Sequence, residues 1–500
     1  MAREGRAFVT RRPDGVPVVR RVVHGALWTG ASHVLLFAAG LTKAVILARI
    51  IDRELFGLVA GAAVWTSYLG IARLDLRIAA FNSREETEIL DTQFLLENLS
   101  AAIGFPVAAA AMAVWPALLP PAGWALVFLL LAAAQFEALT STSVYLVEKR
   151  LRQDVMGRLT MASAVMGPVV VLALALGGRP LLALAIDAVW PVLIPRAGAV
   201  MFAGWRPRFR WTLTQARTQL RLAWTIWVSS LLSKITFQFD DWLVFNTPRP
   251  HPVLWRSTGV AAEAVYDRAY RVAKLPMDLA AGMIAANALA IYAERAARGR
   301  DQVADAYRRI SWLLAWIISA SSAYLFVAAD ELVYVLGEQW LPMVPLLRLS
   351  ALFMVGRPLI QNAAQVLLAL DRSDDVRRTF AVQAVFLVVV APFTVIYAGA
   401  AGAAVAVSVM SALGLITADR LVARHLGGGL WRRLAAPASA GVAAVGLAWV
   451  VAGAVSGATW YIAVVKAAVC AAVFAVALAA LDRAAALDAW RTLRRGWTSV

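Results

Sequence analysis

Cysteine and histidine, which build most thiolate, imidazole and redox centres, are nearly missing from this 500-residue chain. The single cysteine, Cys470, lies inside an apolar run, so neither a disulfide framework nor a cysteine metal site can form. His24 and His425 fall near the inner interface, His251 in an outer loop and His33 alone in the first span, and a lone His in an apolar span is a hydrogen-bonded core residue before it is a ligand. Charge is scarce as well. Asp, Glu, Lys and Arg make up 16% of the chain against 61% hydrophobic residues, and the mean hydropathy is +0.69. No soluble class has that balance, so the chain reads as an integral membrane protein.

Acids are the scarcer of the charges, which leaves a net charge of +17 and a pI near 10.7. A nucleic-acid partner would need those cations gathered on one face, whereas here they are scattered in short loops between apolar runs. Orientation in a bilayer accounts for them, and no nucleic-acid partner is expected. Enzyme signatures are missing too. Gly427-Gly428-Gly429 lacks the strand, lysine and helix of a phosphate loop. Asp240-Asp241 has no further acid or His at ligand spacing, so no metal and no cofactor is expected. Loops are short, the longest on the outer side covering about 247–265, so a polytopic polymerase or glycosyltransferase would lack a place to hold its acceptor.

What is present is a succession of apolar runs of about 20 residues. They predict an all-α polytopic fold with fourteen transmembrane helices near 26–48, 55–72, 93–118, 122–146, 155–177, 181–204, 222–246, 266–292, 311–333, 345–369, 379–398, 401–418, 435–455 and 459–481. An N-terminal cytoplasmic placement puts only about five cations in the outer loops: Arg49, Arg53, Arg179, Arg249 and Arg256. The remaining loop arginines and Lys149 fall inside, an asymmetry of about seven to one that supports the span count and places both termini in the cytoplasm. Segments 73–91, 205–221 and 483–498 are amphipathic and are expected to lie along the headgroups. Leu27-Trp28-Thr29 and Ala223-Trp224-Thr225 open the first and seventh spans alike, a weak repeat that divides the chain into halves.

Charges at membrane depth cost roughly 2.5–3.5 kcal/mol each, so clusters of them mark interior polar surfaces. Lys234, Gln238 and Asp241 recur at i, i+4 and i+7 in the seventh span, with Asp240 beside them. Asp267, Arg271, Lys274 and Asp278 share a face of the eighth, where a rise of about 1.5 Å per residue sets Lys274 and Asp278 near the midplane. Two readings stand side by side. These groups pair within their helices, Asp267 with Arg271, Lys274 with Asp278 and Lys234 with Asp241, or they line a site. Lys43 and Arg49, in a first span without an acid, tip the sum toward cations and toward an anionic ligand such as a diphosphate. Arg357, Gln361 and Gln365 in the tenth span read as polar glue between helices.

Several segments resemble a known family. Arg49-Ile-Ile-Asp52-Arg53-Glu54-Leu-Phe56-Gly57 is similar to the turn after span one of the polysaccharide-transport (oligosaccharide flippase) branch of the multidrug/oligosaccharidyl-lipid/polysaccharide flippase superfamily, with Arg53 where proline is usual. Phe239-Asp240-Asp241-Trp242, Tyr266-Asp267-Arg268-Ala269-Tyr270-Arg271 through Pro276, and Leu336-Gly337-Glu338-Gln339-Trp340 through Leu349 are similar to its later motifs, in order. The resemblance covers about residues 20–425. It implies an N-lobe over 25–220 and a C-lobe over 221–425, each of six helices around a central cavity, then a two-helix extension over 426–482; composition adds an Arg-rich cytoplasmic arm over 1–24 and an amphipathic cytoplasmic tail over 483–500. It also implies a monomeric flippase of the bacterial inner membrane that carries an undecaprenyl-diphosphate-linked oligosaccharide outward by alternating access. Membrane lipids and the polysaccharide polymerase and export machinery would be its partners. On that reading Lys43, Arg49, Lys234, Arg271 and Lys274 attract the substrate, and Asp240, Asp241, Asp267 and Asp278 balance charge or couple transport. Lipid II or drugs are the alternative cargoes within the superfamily; Lys43, where drug-extruding relatives carry an acid, weighs against drugs.

Overall fold

A computed structural model describes residues 39–74, 76, 87–149, 153–208, 210, 212–247, 259–296, 298–354, 356–427, 431–454 and 459–483. Within them the secondary structure is helical, with no strand. In chain order the helices are α1 (described over 39–50), α2 (Arg53–Leu69), α3 (Thr87–Ala102), α4 (Gly104–Val114), α5 (Pro121–Lys149), α6 (Gln153–Leu176), α7 (Pro180–Ala203) and α8 (Leu213–Asn246). There follow α9 (Val260–Ala296), α10 (Arg300–Val327), α11 (Ala329–Leu336), α12 (Val344–Met354), α13 (Gly356–Ala369), α14 (Ser373–Leu426), α15 (Trp431–Ala454) and α16 (Thr459–Leu481).

Nine of the described helical stretches are long and apolar enough to cross a bilayer, against fourteen spans expected. The difference has local causes. Span one begins before residue 39, outside the described residues, and α2 has only 17 residues, about 25 Å of helix. Helices α8 and α9, with 34 and 37 residues, have the length but carry the charged constellations. Spans eleven and twelve form the single stretch α14, whose 54 residues would exceed 80 Å if straight, far more than one crossing.

Two positions show how the chain manages its breaks. Pro106 lacks an N–H and its ring crowds the carbonyl four residues earlier, which is Ala102, where α3 ends before α4 resumes. In α14, Gly399 takes φ 57 and ψ −138, and a Cβ on Gly402 would overlap the carbonyl of Thr394. In a straight helix eight residues rise about 12 Å, so this closeness means that the chain folds back at Gly399. Gly402→Ala is therefore expected to cost about 1–3 kcal/mol by forcing the two arms apart. A melting temperature equal to wild type in detergent would refute the reversal.

The chain divides into two compact units, Met1–Val228 and Ser229–Val500, with the division inside α8. In unit 1, α5 and α7 are central, α7 packing on both α5 and α6 while α2 and α3 pack on α5. In unit 2, α9 and α10 are central, with α12 and α13 against α9 and the α15–α16 pair against α10. The last two helices belong to unit 2 through a distinct apolar seam. Ala440, Ala444 and Ala448, four residues apart on α15, admit Trp312 and Trp316 of α10, and Phe474 and Cys470 of α16 complete the cluster. Both indole N–H groups then donate to the Asp482 carboxylate, at 2.9 and 3.1 Å. His425 is likewise accounted for by Asp375, 2.8 Å from its Nε2.

Candidate functional site

Among the described residues of unit 1, two clusters of charge stand out. Lys43, on α1, forms an ion pair with Asp187 of α7. The lysine is thus matched by an acid, although none lies in its own span; the acid comes from a helix 144 residues away in sequence. Arg49, at the end of α1, is exposed. The second cluster centres on Glu137 of α5. Arg73 donates to its Oε2 at 2.7 Å, and Arg196 of α7 pairs with its Oε1 and reaches its backbone carbonyl at 3.3 Å. One carboxylate is therefore held between two guanidiniums, all three side chains between 16% and 30% exposed.

Glu97 of α3, 4% exposed, adds structural ties. It accepts the backbone N–H of Leu76 at 2.9 Å, the Gln93 amide at 3.3 Å and the Ser141 hydroxyl. A buried carboxylate with several donors is well satisfied, and this one fastens the chain after α2 to α3 and α5.

Unit 2 holds the charged faces of α8 and α9. Asp240 is 3% exposed, and its Oδ2 accepts the Tyr266 hydroxyl at 2.6 Å while its Oδ1 is buried with no hydrogen-bond partner. Glu263, in the first turn of α9, is 1% exposed, with both carboxylate oxygens buried and without hydrogen bonds. Asp267 and Arg271 follow Glu263 at i+4 and i+8 on the same face of α9. Arg271 in turn clasps both oxygens of Asp267, at 2.8 and 2.7 Å, so the intrahelical pairing foreseen for these two is present. Lys234 and Lys274 are half-buried. The Asp278 side chain lies outside the described residues.

Arg357 of α13 fits the role of polar glue. It is 5% exposed, its guanidinium lies 3.4 Å from the Phe237 ring centroid, and it donates to the Tyr270 hydroxyl. It thereby ties α13 to α8 and α9.

Sequence reasoning passed over three of these acids. Glu263 falls outside the predicted eighth span, which begins at 266, yet it completes an i, i+4, i+8 row with Asp267 and Arg271 that would have exposed it. Asp187 and Glu137 are lone acids in apolar spans, a signal in itself.

This arrangement can be set beside known proteins. Residues 46–345 match the family described as polysaccharide biosynthesis protein. The chain belongs to that family. Several solved structures share its fold, among them a flippase and a transporter. A lipid II flippase, MurJ, in an inward closed conformation superposes with a TM-score of 0.72 at 11% identity, covering 91% of this chain and 99% of that one. An inward-facing multidrug resistance MATE family transporter of the MOP superfamily gives a TM-score of 0.53 at 16% identity, covering 80% and 95%. Comparison with curated proteins finds no match. The chain is a multi-pass membrane protein with the helical fold of those two structures.

Proposed function

We propose that this polysaccharide biosynthesis protein is a flippase. It moves an undecaprenyl-diphosphate-linked oligosaccharide from the cytoplasmic to the periplasmic leaflet of the bacterial inner membrane by alternating access. The observation that carries this reading, beyond the family, is the Arg73–Glu137–Arg196 cluster. Two guanidiniums converging on one carboxylate present paired donors in the form that a diphosphate requires, and Glu137 occupies their donors until an anion replaces it. Lys43, Arg49, Lys234, Arg271 and Lys274 add cationic attraction, while Asp240, Asp241, Asp267 and Asp278 balance charge and exchange partners during the cycle.

Arg271→Ala and Lys274→Ala are each expected to reduce polymer export about 10- to 100-fold, the loss of one charge-assisted contact, with the protein still inserted and folded. Normal export by both variants would remove unit 2 cations from the transport path. Deletion tests the cargo. Lipid-linked repeat units held on the cytoplasmic leaflet support the oligosaccharide reading, and single unextended units on the outer leaflet would point to a polymerase instead. The fold shared with a lipid II flippase favours one second reading, lipid II as cargo. Lethality on deletion, with no loss of surface polysaccharide in a depleted strain, would establish it.

A further inference from the structure

The segment after α7 has features that lie outside the charged clusters described above. Gly204, at φ +62, ends α7 in the left-handed region. The chain beyond it is tied to α3, since the Arg208 backbone N–H donates to Asp91 Oδ1 at 3.2 Å and Trp205 packs edge-on against Phe94 at 5.7 Å. Val200, Met201, Gly204, Trp205, Arg206 and Arg208 line a pocket of about 730 Å³ there.

Three kinds of group meet in this pocket. The guanidiniums of Arg206 and Arg208 are exposed and have no ion pair among the described residues. The Trp205 indole Nε1 is buried and has no acceptor. Met201 is 82% exposed and Val200 42%, an apolar strip that continues from the membrane-spanning helix. Asp91, the nearby acid, is 1% exposed, with Oδ1 accepting the Arg208 backbone N–H and Oδ2 buried without a hydrogen bond, and does not line the pocket.

We infer that this pocket binds one anionic phospholipid, with Arg206 and Arg208 on its phosphate, the Trp205 N–H donating to a headgroup or ester oxygen, and an acyl chain along Val200 and Met201. A free phosphate would have no use for the apolar strip. A zwitterionic lipid would leave the two cations without a net countercharge. Arginine near a membrane surface attracts anionic lipid by about 1 kcal/mol per residue, and a fixed pocket turns that attraction into a site.

The test is native mass spectrometry of the full chain, titrated with phosphatidylglycerol or with phosphatidylcholine of the same acyl chains. Wild type should hold one phosphatidylglycerol in preference to phosphatidylcholine. Arg206→Gln/Arg208→Gln should weaken that first binding roughly 10- to 30-fold, and Trp205→Phe about fivefold. Arg420→Gln/Arg424→Gln, which removes the same charge from exposed positions on α14, should leave it unchanged. Equal weakening by both double variants, equal retention of the two lipids, or stoichiometric displacement by undecaprenyl diphosphate would each overturn the proposal. The altered arginines are exposed, so the variants should remain folded, and thermal melting checks this.

Discussion

Lys466→Met is expected to destabilise unit 2 by about 3–5 kcal/mol, the cost of leaving a buried carboxylate without its partner. Lys466 of α16 pairs with Glu331 of α11 at 2.6 Å, and the two side chains are only 8% and 10% exposed. The same ammonium donates to the Val327 carbonyl at 2.9 Å, at the C-terminal end of α10 where intrahelical donors run out. One lysine thus satisfies an acid and a helix end, and its loss strands both. The double variant Lys466→Met/Glu331→Leu should recover most of the stability, because a buried pair replaced by apolar groups is often neutral. Thermal unfolding of the four proteins in a double-mutant cycle measures the coupling. A Lys466→Met protein that melts like wild type would show that the seam between α16 and the α10–α11 junction rests on the apolar cluster alone.

Glu263→Leu should do the opposite to stability. Neither Glu263 oxygen has a hydrogen bond, and the side chain is 1% exposed. Each buried unsatisfied polar atom costs about 1–3 kcal/mol, so its removal should stabilise the protein by about 2 kcal/mol. If the protein is the proposed flippase, export should nevertheless fall, since a buried acid kept without hydrogen bonds at a cost in stability marks a functional position. Glu263→Gln should show the same loss of export with a smaller gain in melting temperature, because the amide keeps two polar atoms in the same place. Wild-type export by Glu263→Leu would remove this carboxylate from the cycle.

The two predictions differ in how far the sequence could reach them. Lys466 and Glu331 are 135 residues apart, and each alone reads as a stray charge in or beside an apolar run. Glu263 belongs to a row with Asp267 and Arg271 on one helix face, so periodicity was sufficient; a span boundary drawn six residues after the helix start hid it. The Asp267–Arg271 pair was legible for the same reason. Lys43–Asp187 and Arg73–Glu137–Arg196 were not, since they join different helices across 144, 64 and 59 residues.

Membrane residence, helical class and a polysaccharide-related family were readable from composition, apolar run length and short motifs. A bilayer obliges every spanning segment to satisfy its own backbone, which writes each helix into contiguous sequence. Charge asymmetry between loops is likewise a property of local composition. The partners of the buried charges were another matter. Helical periodicity states which side chains share a face, but which face meets which is settled by packing between helices distant in the chain. The break in α14 at Gly399 falls where two apolar runs meet in the sequence, but the acid that meets Lys43 and the two arginines that clasp Glu137 depend on that packing, and they became visible only once the helices stood in place.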